Sequence, residues 1–252
     1  MLVNTEQKTF VNGMTKACLI AADSLKFIKP YVIAGAKLSD LDTLLEQFII
    51  DRGAISACRG YHGYPKATCI SVNEVACHGV PNDYILKTND FLNIDVTVNC
   101  NGYFGDTSQM YSVGLTTPEQ INILFATNKA LNAGIEQCLP LNNVGDIGFA
   151  IGKSITKLGY YTTKDLGGHG IGTVFHGEPW IPFHGKKGRG AIIQPWTCIT
   201  IEPILLTVNK EIIQLPIPGS TITKIMAPDN CLNAQLEHTV LITDTGYEVL
   251  TL

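Results

Sequence analysis

The sequence is poor in charge and has no long basic segment. Lysine and arginine together number 18 against 22 acidic residues, which leaves a net charge of −4. We therefore expect no nucleic-acid groove, and we interpret the short cluster Lys186-Lys187-Gly188-Arg189 as a solvated loop.

Long apolar runs are also missing. No run approaches the roughly 18 residues that a membrane span needs, and the N-terminus lacks the charged and then apolar pattern of a secretory signal. We expect no membrane partner and a cytoplasmic location. With 252 residues, of which 45% are hydrophobic, the chain can form a single domain, 1–252, around a substantial core.

Closely spaced cysteines are a third absence. No two of the eight cysteines are separated by only two residues, which excludes a zinc knuckle and a thioredoxin-like motif. Several lie in apolar runs, so we interpret most of them as free thiols in the core of a protein from a reducing compartment. Cys58 and Cys69 are the candidate exceptions.

Three carboxylates stand inside apolar, β-type runs. Asp95 lies in Phe-Leu-Asn-Ile-Asp-Val-Thr-Val, Glu202 in Cys-Ile-Thr-Ile-Glu-Pro-Ile-Leu-Leu, and Glu237 in Ala-Gln-Leu-Glu-His-Thr-Val-Leu-Ile. An unpaired buried carboxylate costs several kcal/mol or is neutralised by a raised pKa. A bound cation removes that cost.

Two more candidate ligands complete a set of five: Asp95, Asp106, His169, Glu202 and Glu237. Four carboxylates and one imidazole favour Mn, Fe, Co or Zn over a metal that prefers thiolates. The excess of carboxylates suits a bridged pair of ions better than a single structural zinc.

Helices and strands are expected to alternate along the chain. We predict helices over about 5–29, over 39–52 with Ser39 as N-cap, from a capping box at Thr117 to about residue 138, and over 144–157. Strands are predicted at 69–72, 90–98 and 109–113.

A faint internal repeat runs through this order. Asp40 stands 55 residues before Asp95 (95 − 40), and Asp146 stands 56 residues before Glu202 (202 − 146). Two αβ halves packed face to face would bring a ligand-bearing strand from each half to a shared central cleft.

Five motifs, in order along nearly the whole chain, resemble those of the type I methionine aminopeptidases. They are Asn93-Ile-Asp-Val-Thr97, Gly105-Asp106-Thr-Ser108, Gly168-His-Gly-Ile-Gly172, Thr200-Ile-Glu-Pro203 and Ala234-Gln-Leu-Glu-His-Thr239. The resemblance implies an α+β, pita-bread fold, in which two pseudo-symmetric αβ halves, about 1–114 and 115–252, form a central antiparallel sheet covered by helices. It also implies two divalent metal ions and removal of the initiator methionine from nascent proteins, with a preference for small second residues.

The resemblance assigns roles as well. Asp95 would chelate one metal, His169 and Glu202 the other, and Asp106 and Glu237 would bridge both. Glu202 could also act as the general base, and His78 and His176 match the active-site histidines that bind substrate without binding metal. The residues that match the methionine pocket are Cys58, Tyr61, Tyr64, Cys69 and Phe175.

One departure from the family concerns this pocket. The family usually has a tryptophan upstream of the Glu237 motif, where this chain reads Thr221-Ile-Thr-Lys-Ile-Met226.

Two other functions remain alternatives: a proline-directed peptidase of the same fold, and a non-enzymatic binding protein that has lost its metal. N-terminal peptides of nascent proteins are the expected partners and a monomer the expected state, while transient association with the ribosome stays open.

Overall fold

A computed structural model describes residues 4–252, in which four α-helices alternate with short antiparallel sheets. The α-helices are α1 (Thr5–Ile28), α2 (Leu38–Asp51), α3 (Pro118–Ile135) and α4 (Val144–Lys157), and single 3-10 turns cover Lys29–Tyr31 and Tyr61–Gly63. The predicted helices all form. None of these helices is long and apolar enough to cross a membrane, as judged from residues 4–252.

Side-chain caps explain where two of the helices begin. Asn4 and Gln7 cap α1 reciprocally, and Thr117 and Gln120 do the same for α3, so each pair satisfies backbone N–H groups that the first turn leaves free. The prediction of Ser39 as an N-cap is wrong. Helix α2 begins one residue earlier, without a side-chain cap, and the Ser39 hydroxyl bonds Asp83 instead.

Fourteen strands complete the described chain. They are β1 (Ile55–Ser56), β2 (Cys69–Val72), β3 (Val75–Cys77), β4 (Phe91–Cys100), β5 (Tyr103–Ser112), β6 (Gly167–Ile171), β7 (Gly177–Pro182), β8 (Cys198–Ile201), β9 (Ile204–Leu206), β10 (Ile213–Pro216), β11 (Thr223–Met226), β12 (Asn233–Gln235), β13 (His238–Ile242) and β14 (Tyr247–Val249). Strand β4 pairs with β1, β2 and β5, whereas β14, β13, β8, β6 and β7 form a five-stranded sheet in that order.

The β4–β5 hairpin connects the two parts of the molecule, the earlier part with α1, α2 and β1–β5 and the later part with α3, α4 and β6–β14. The Thr107 hydroxyl donates to the carbonyl of Glu237 at 2.7 Å, and the Thr239 hydroxyl donates to the carbonyl of Asp106 at 2.8 Å. A backbone bridge joins Ser108 to Glu237. The central antiparallel strands of the two parts therefore meet where the candidate ligands lie.

Two hydrophobic clusters pack the helices onto these strands. Helices α1 and α2 cover β4 in one cluster, and α3 and α4 cover β8 and β9 in the other. Helix α1 lies so close to β5 that a Cβ added at Gly105 would stand 2.4 Å from the backbone of Ala17. The predicted α+β class is confirmed, and a boundary near residue 114 stays a prediction.

Candidate metal centre and cleft

All of the sequence-predicted site residues line one cavity of about 250 Å³ between the two parts of the chain. These residues are Cys58, Tyr61, Tyr64, Cys69, His78, Asp95, Asp106, His169, Phe175, His176, Glu202 and Glu237. They come from segments up to 179 positions apart (237 − 58). Their individual roles stay predictions.

Strand pairing positions the acidic residues of this cavity. In the β4–β5 hairpin Asp106 lies opposite Thr97, whose hydroxyl donates to Asp106 Oδ1 at 2.8 Å. Asp95 lies on the same hairpin, opposite Ser108. The other ligand candidates come from the later strands, His169 within β6, Glu202 just after β8, and Glu237 just before β13.

The candidate ligands converge closely enough to hold a cation. Ligand atoms of Asp106, His169 and Glu237 all lie within 4.8 Å of one another. Glu202 adjoins this group, because its Oε1 lies 3.7 Å from His169 Nε2. Asp95 adjoins it through Asp106, with which its carboxyl interacts.

Burial makes these carboxyl groups hard to ionise. It raises the pKa of Asp106 to about 7 and, together with repulsion from Asp106, that of Glu202 to about 8. The pKa values of Asp95 and Glu237 are also raised well above normal, first by burial and then by their acidic neighbours. No lysine or arginine of residues 4–252 lines the cavity to offset these charges.

One buried oxygen of the site has no partner within the protein. Among the buried side-chain nitrogen and oxygen atoms of residues 4–252, Oδ1 of Asp95 is the one without a hydrogen-bond partner. Buried polar atoms are almost always paired, so an orphaned carboxylate oxygen indicates a ligand. A set of four carboxylates and one imidazole fits divalent metal ions.

His169 is oriented as a metal ligand needs to be. Its Nδ1 lies 3.0 Å from the Gly170 carbonyl, which can only accept, so Nδ1 carries the proton. The lone pair of Nε2 then faces Asp106 and Glu202, each at 3.7 Å. Burial lowers the pKa of His169 to about 4, which keeps the ring neutral and able to ligate.

Two further histidines border the carboxylates. His78 Nδ1 lies 3.0 Å from the Thr223 carbonyl, so this ring also carries its proton on Nδ1 and presents Nε2 as an acceptor. Its backbone has a φ of 56°. Residues other than glycine rarely adopt this conformation, and it is often found at functional sites. His176 Nδ1 lies 2.8 Å from the Tyr61 hydroxyl.

An apolar pocket adjoins these histidines. A separate cluster of buried side chains comprises Cys58, Tyr64, Cys69, Phe175 and Ile217, with Tyr61 and Ile222 packed against it. The Tyr64 hydroxyl donates to the Gly79 carbonyl at 2.8 Å, which fixes the ring. Ile222 belongs to the segment that departs from the family pattern, and it lines the cavity.

Several residues in the cavity or next to its ligands were not predicted from the sequence. Thr200 Oγ1 donates to Glu202 Oε1 at 2.9 Å, and Gln235 Nε2 donates to Glu202 Oε2 at 3.3 Å. Both residues lie inside the motifs given above, close to Glu202 and Glu237 in sequence. That closeness could have identified them as neighbours of the ligands. Asp165 and Trp180 line the cavity too, and no motif marks them.

Comparison with known proteins agrees with this geometry. The profile of metallopeptidase family M24 matches residues 12–244, most of the chain. This chain belongs to metallopeptidase family M24. The family accounts for a cleft of carboxylates without a cationic side chain, because a divalent metal is its expected occupant.

Within family M24 the chain is similar to methionine aminopeptidases over its full length. The chain is 40% identical to the methionine aminopeptidase of Rickettsia prowazekii (strain Madrid E) over 250 residues, which is 99% of this chain and 95% of the relative. The crystal structure of methionine aminopeptidase from Rickettsia prowazekii matches with a TM-score of 0.93 at 38% identity, covering 100% of both chains. The predicted pita-bread fold is confirmed.

A prolidase shares the M24 fold at greater distance. The prolidase from Pyrococcus furiosus matches with a TM-score of 0.78 at 21% identity, and the match covers 97% of this chain but 64% of the prolidase. At that identity the likeness extends to the fold alone. It gives no support to the proline-directed alternative.

Proposed function

We propose that this chain is a methionine aminopeptidase, which hydrolyses the bond after the N-terminal methionine of peptides and nascent proteins whose second residue is small. The observation that carries this proposal is one cavity that joins a converging set of metal-ligand side chains to a closed apolar pocket. Full-length similarity to methionine aminopeptidases supports the same substrate.

The proposed cofactor is a pair of divalent ions, Co, Mn, Fe or Zn. Asp95 would hold one ion, His169 and Glu202 the other, and Asp106 and Glu237 would bridge them. The convergence of Asp106, His169 and Glu237 and the orphaned oxygen of Asp95 support this assignment. When bound, such ions polarise a carbonyl group and lower the pKa of water towards neutrality.

Glu202 is the proposed general base. Its two oxygens accept hydrogen bonds from Thr200 and Gln235, which fix the carboxylate beside His169. A carboxylate held in this way can take a proton from the attacking water and return it to the leaving amine.

His78 and His176 are proposed to bind the scissile peptide. His78 presents Nε2 as an acceptor, which suits the N–H of the peptide bond that follows methionine. His176 is paired with the Tyr61 hydroxyl through Nδ1, which leaves Nε2 for the substrate carbonyl. Neither histidine needs to contact metal to act in this way.

The apolar cluster is the proposed methionine pocket. Aromatic rings and thiols suit a thioether, and Cys58, Tyr61, Tyr64, Cys69 and Phe175 supply both. A shorter first side chain leaves such a slot partly empty, at a cost of about 10–200-fold in kcat/KM for each missing methylene. Ile222, from the segment that lacks the family's tryptophan, packs against this cluster.

The proposed function also suggests the partners of the chain. N-terminal peptides of nascent proteins are the partners, and a cytoplasmic location and a monomer remain predictions. Binding measurements with purified ribosomes would test transient association with the ribosome.

Peptide hydrolysis tests the proposal. We expect Met-Ala-Ser to be cleaved well, Leu-Ala-Ser and Ala-Ala-Ser at least about tenfold more slowly in kcat/KM, and Pro-Ala-Ser and Ala-Pro-Ser not at all. Chelator should stop the reaction. Equal values for the first three peptides would refute selection of methionine, and cleavage of the Ala-Pro peptide alone would favour the proline-directed alternative.

A further inference from the structure

A second group of residues that lines the cleft, outside the methionine pocket, has no assigned function. It is formed by Asp165, Leu166, Gly167, Trp180 and Ile204. Leu166 and Ile204 belong to the hydrophobic cluster of the second part of the chain, not to the cluster that forms the methionine pocket. The candidate ligands line the same cavity as both groups.

Trp180 is the largest side chain of this second group, and it is partly exposed to solvent. It is 47% exposed and lies on β7, the edge strand of the five-stranded sheet. An exposed indole on an edge strand is an unusual use of a large apolar side chain, since aromatic residues contribute most when they are covered.

The backbone beneath Trp180 is built to receive the indole. A Cβ added at Gly167 would stand 2.5 Å from Trp180 Nε1 and 2.7 Å from its Cε2, so the ring lies against strand β6 where only glycine leaves room. The indole N–H has no hydrogen-bond partner within residues 4–252, unlike that of Trp196, which donates to Asp244 at 3.0 Å. One side of the indole therefore packs against strand β6, and the other side is open to contact with a ligand.

The direction of a bound peptide follows from these two groups of residues. If the first side chain fills the apolar pocket and His176 contacts the scissile bond, the rest of the peptide can leave over the part of the cavity lined by Trp180. Trp180 and His176 line the same cavity and lie four positions apart in the sequence, so their α-carbons are at most about 13 Å apart. In an extended peptide the α-carbon of the third residue lies about 7 Å beyond that of the first, and a long side chain at that position covers the remaining distance to the indole.

The charge near Trp180 favours one kind of side chain at the third residue of the substrate. Asp165 is exposed beside the indole, and no lysine or arginine of the described chain lines the cavity. Arginine can stack on an indole while its guanidinium meets a carboxylate, and an aromatic side chain can stack without the charge. Aspartate would be repelled and glycine would make no contact.

We propose that Trp180 is a specificity-determining residue that binds the third residue of the substrate, with arginine preferred, aromatic side chains next, and glycine and aspartate disfavoured. This inference rests on the proposed aminopeptidase function. It assigns to the leaving part of the peptide a subsite distinct from the methionine pocket.

The test compares kcat/KM for Met-Ala-Xaa-Ser peptides, with Xaa as Arg, Phe, Gly or Asp, and for the dipeptide Met-Ala, which does not reach Trp180. In the wild type we expect Arg to exceed Gly by about 3–10-fold, mainly through KM. Trp180→Ala should reduce this ratio to near one while Met-Ala changes less than twofold. Trp180→Phe should keep part of the preference, and Asp165→Asn should lower the value for Arg but not for Phe.

Tyr247→Ala is the matched control, because Tyr247 is a 38% exposed aromatic residue on β14, the opposite edge of the same sheet. It should leave every ratio unchanged. Equal values for the Arg, Phe and Gly peptides in the wild type overturn the inference without any variant, and so does a ratio that persists in Trp180→Ala. A wild type that cleaves Met-Ala without such selectivity refutes only this inference, whereas one that cleaves no methionyl peptide refutes the proposed function and this inference together.

Discussion

Asp42 and the carboxylates of the cleft are both buried, but their surroundings are opposite. Asp42, on α2, has its oxygens supplied with donors by the protein itself, whereas Asp95 keeps an orphaned oxygen among other acids. Burial raises the pKa of both. We infer from this difference that Asp42 stabilises the fold, and we propose that Asp95 binds a cation.

The donors around Asp42 come from the segment that carries the methionine pocket. Oδ1 of Asp42 accepts from the Thr68 backbone N–H at 2.9 Å and from its hydroxyl at 2.8 Å. Arg59 Nη2 lies 3.9 Å from Oδ2 of Asp42 and donates to Glu46 at 2.7 Å. Hydrogen bonds from Thr68 counter part of the upward pKa shift, so Asp42 needs no metal.

The largest effect should come from removing metal. Chelator should abolish hydrolysis of Met-Ala-Ser, and Mn, Fe or Co should restore it, because a site of carboxylates and one imidazole without thiolate exchanges its ions. Rates before and after dialysis against chelator measure this. Asp42→Ala should respond to chelator and metal as the wild type does, and a demetallated wild type that keeps its full rate would contradict the prediction.

Next in size are the histidines that border the carboxylates. Replacing His78 or His176 with Ala should lower kcat by about 10²–10⁴-fold while the metal content stays near that of the wild type. Steady-state kinetics and mass spectrometry of the metal give both quantities. His184 is exposed and outside the cleft, so His184→Ala is the control. Loss of metal from either cleft variant would mean that the histidine is a ligand.

A smaller effect is expected at Asp42. Asp42→Ala leaves the buried N–H and hydroxyl of Thr68 without an acceptor, which should lower the free energy of unfolding by about 1–3 kcal/mol. Urea unfolding of the metal-free protein measures it. Metal content should not change, and a loss of metal would remove the distinction between the two acidic sites.

The smallest effect is expected from the ion pair beside Asp42. The Arg59 side chain is 45% exposed, so Arg59→Leu should lower the free energy of unfolding by no more than about 1 kcal/mol. Asp23→Leu, which breaks the exposed pair with Lys26, is the comparison on another helix. A cost from Arg59→Leu as large as that from Asp42→Ala would show that the ion pair, not Thr68, stabilises the buried carboxylate.

The sequence identified the carboxylates of the cleft much better than it identified Asp42. Apolar runs interrupted by a carboxylate identify Asp95, Glu202 and Glu237, because a buried charge in a strand needs a partner wherever the strand lies. Asp42 gives no such sign, since an acid near the start of an amphipathic helix is ordinarily exposed. Its partner Thr68 is 26 residues away.

Other features escaped the sequence for related reasons. Ser39 has the residue type of an N-cap, but α2 begins at Leu38, where the backbone N–H groups of Leu38 and Ser39 bond to Tyr84 and Asn82 instead. Trp180 lies in a strand with no distinctive pattern, and its position at the cleft depends on the pairing of β6 with β7. Local rules do not specify such long-range neighbours.

The most direct test of the account is the number of metal ions bound per chain, measured by mass spectrometry after equilibration with Mn and removal of the excess. We predict two ions in the wild type and in Asp42→Ala, and loss of both in Asp106→Ala and in Glu237→Ala, because each of these cleft residues is proposed to bridge. Two ions per chain retained in both cleft variants would contradict the bridging assignment, and a wild type that binds none would contradict the metal centre itself.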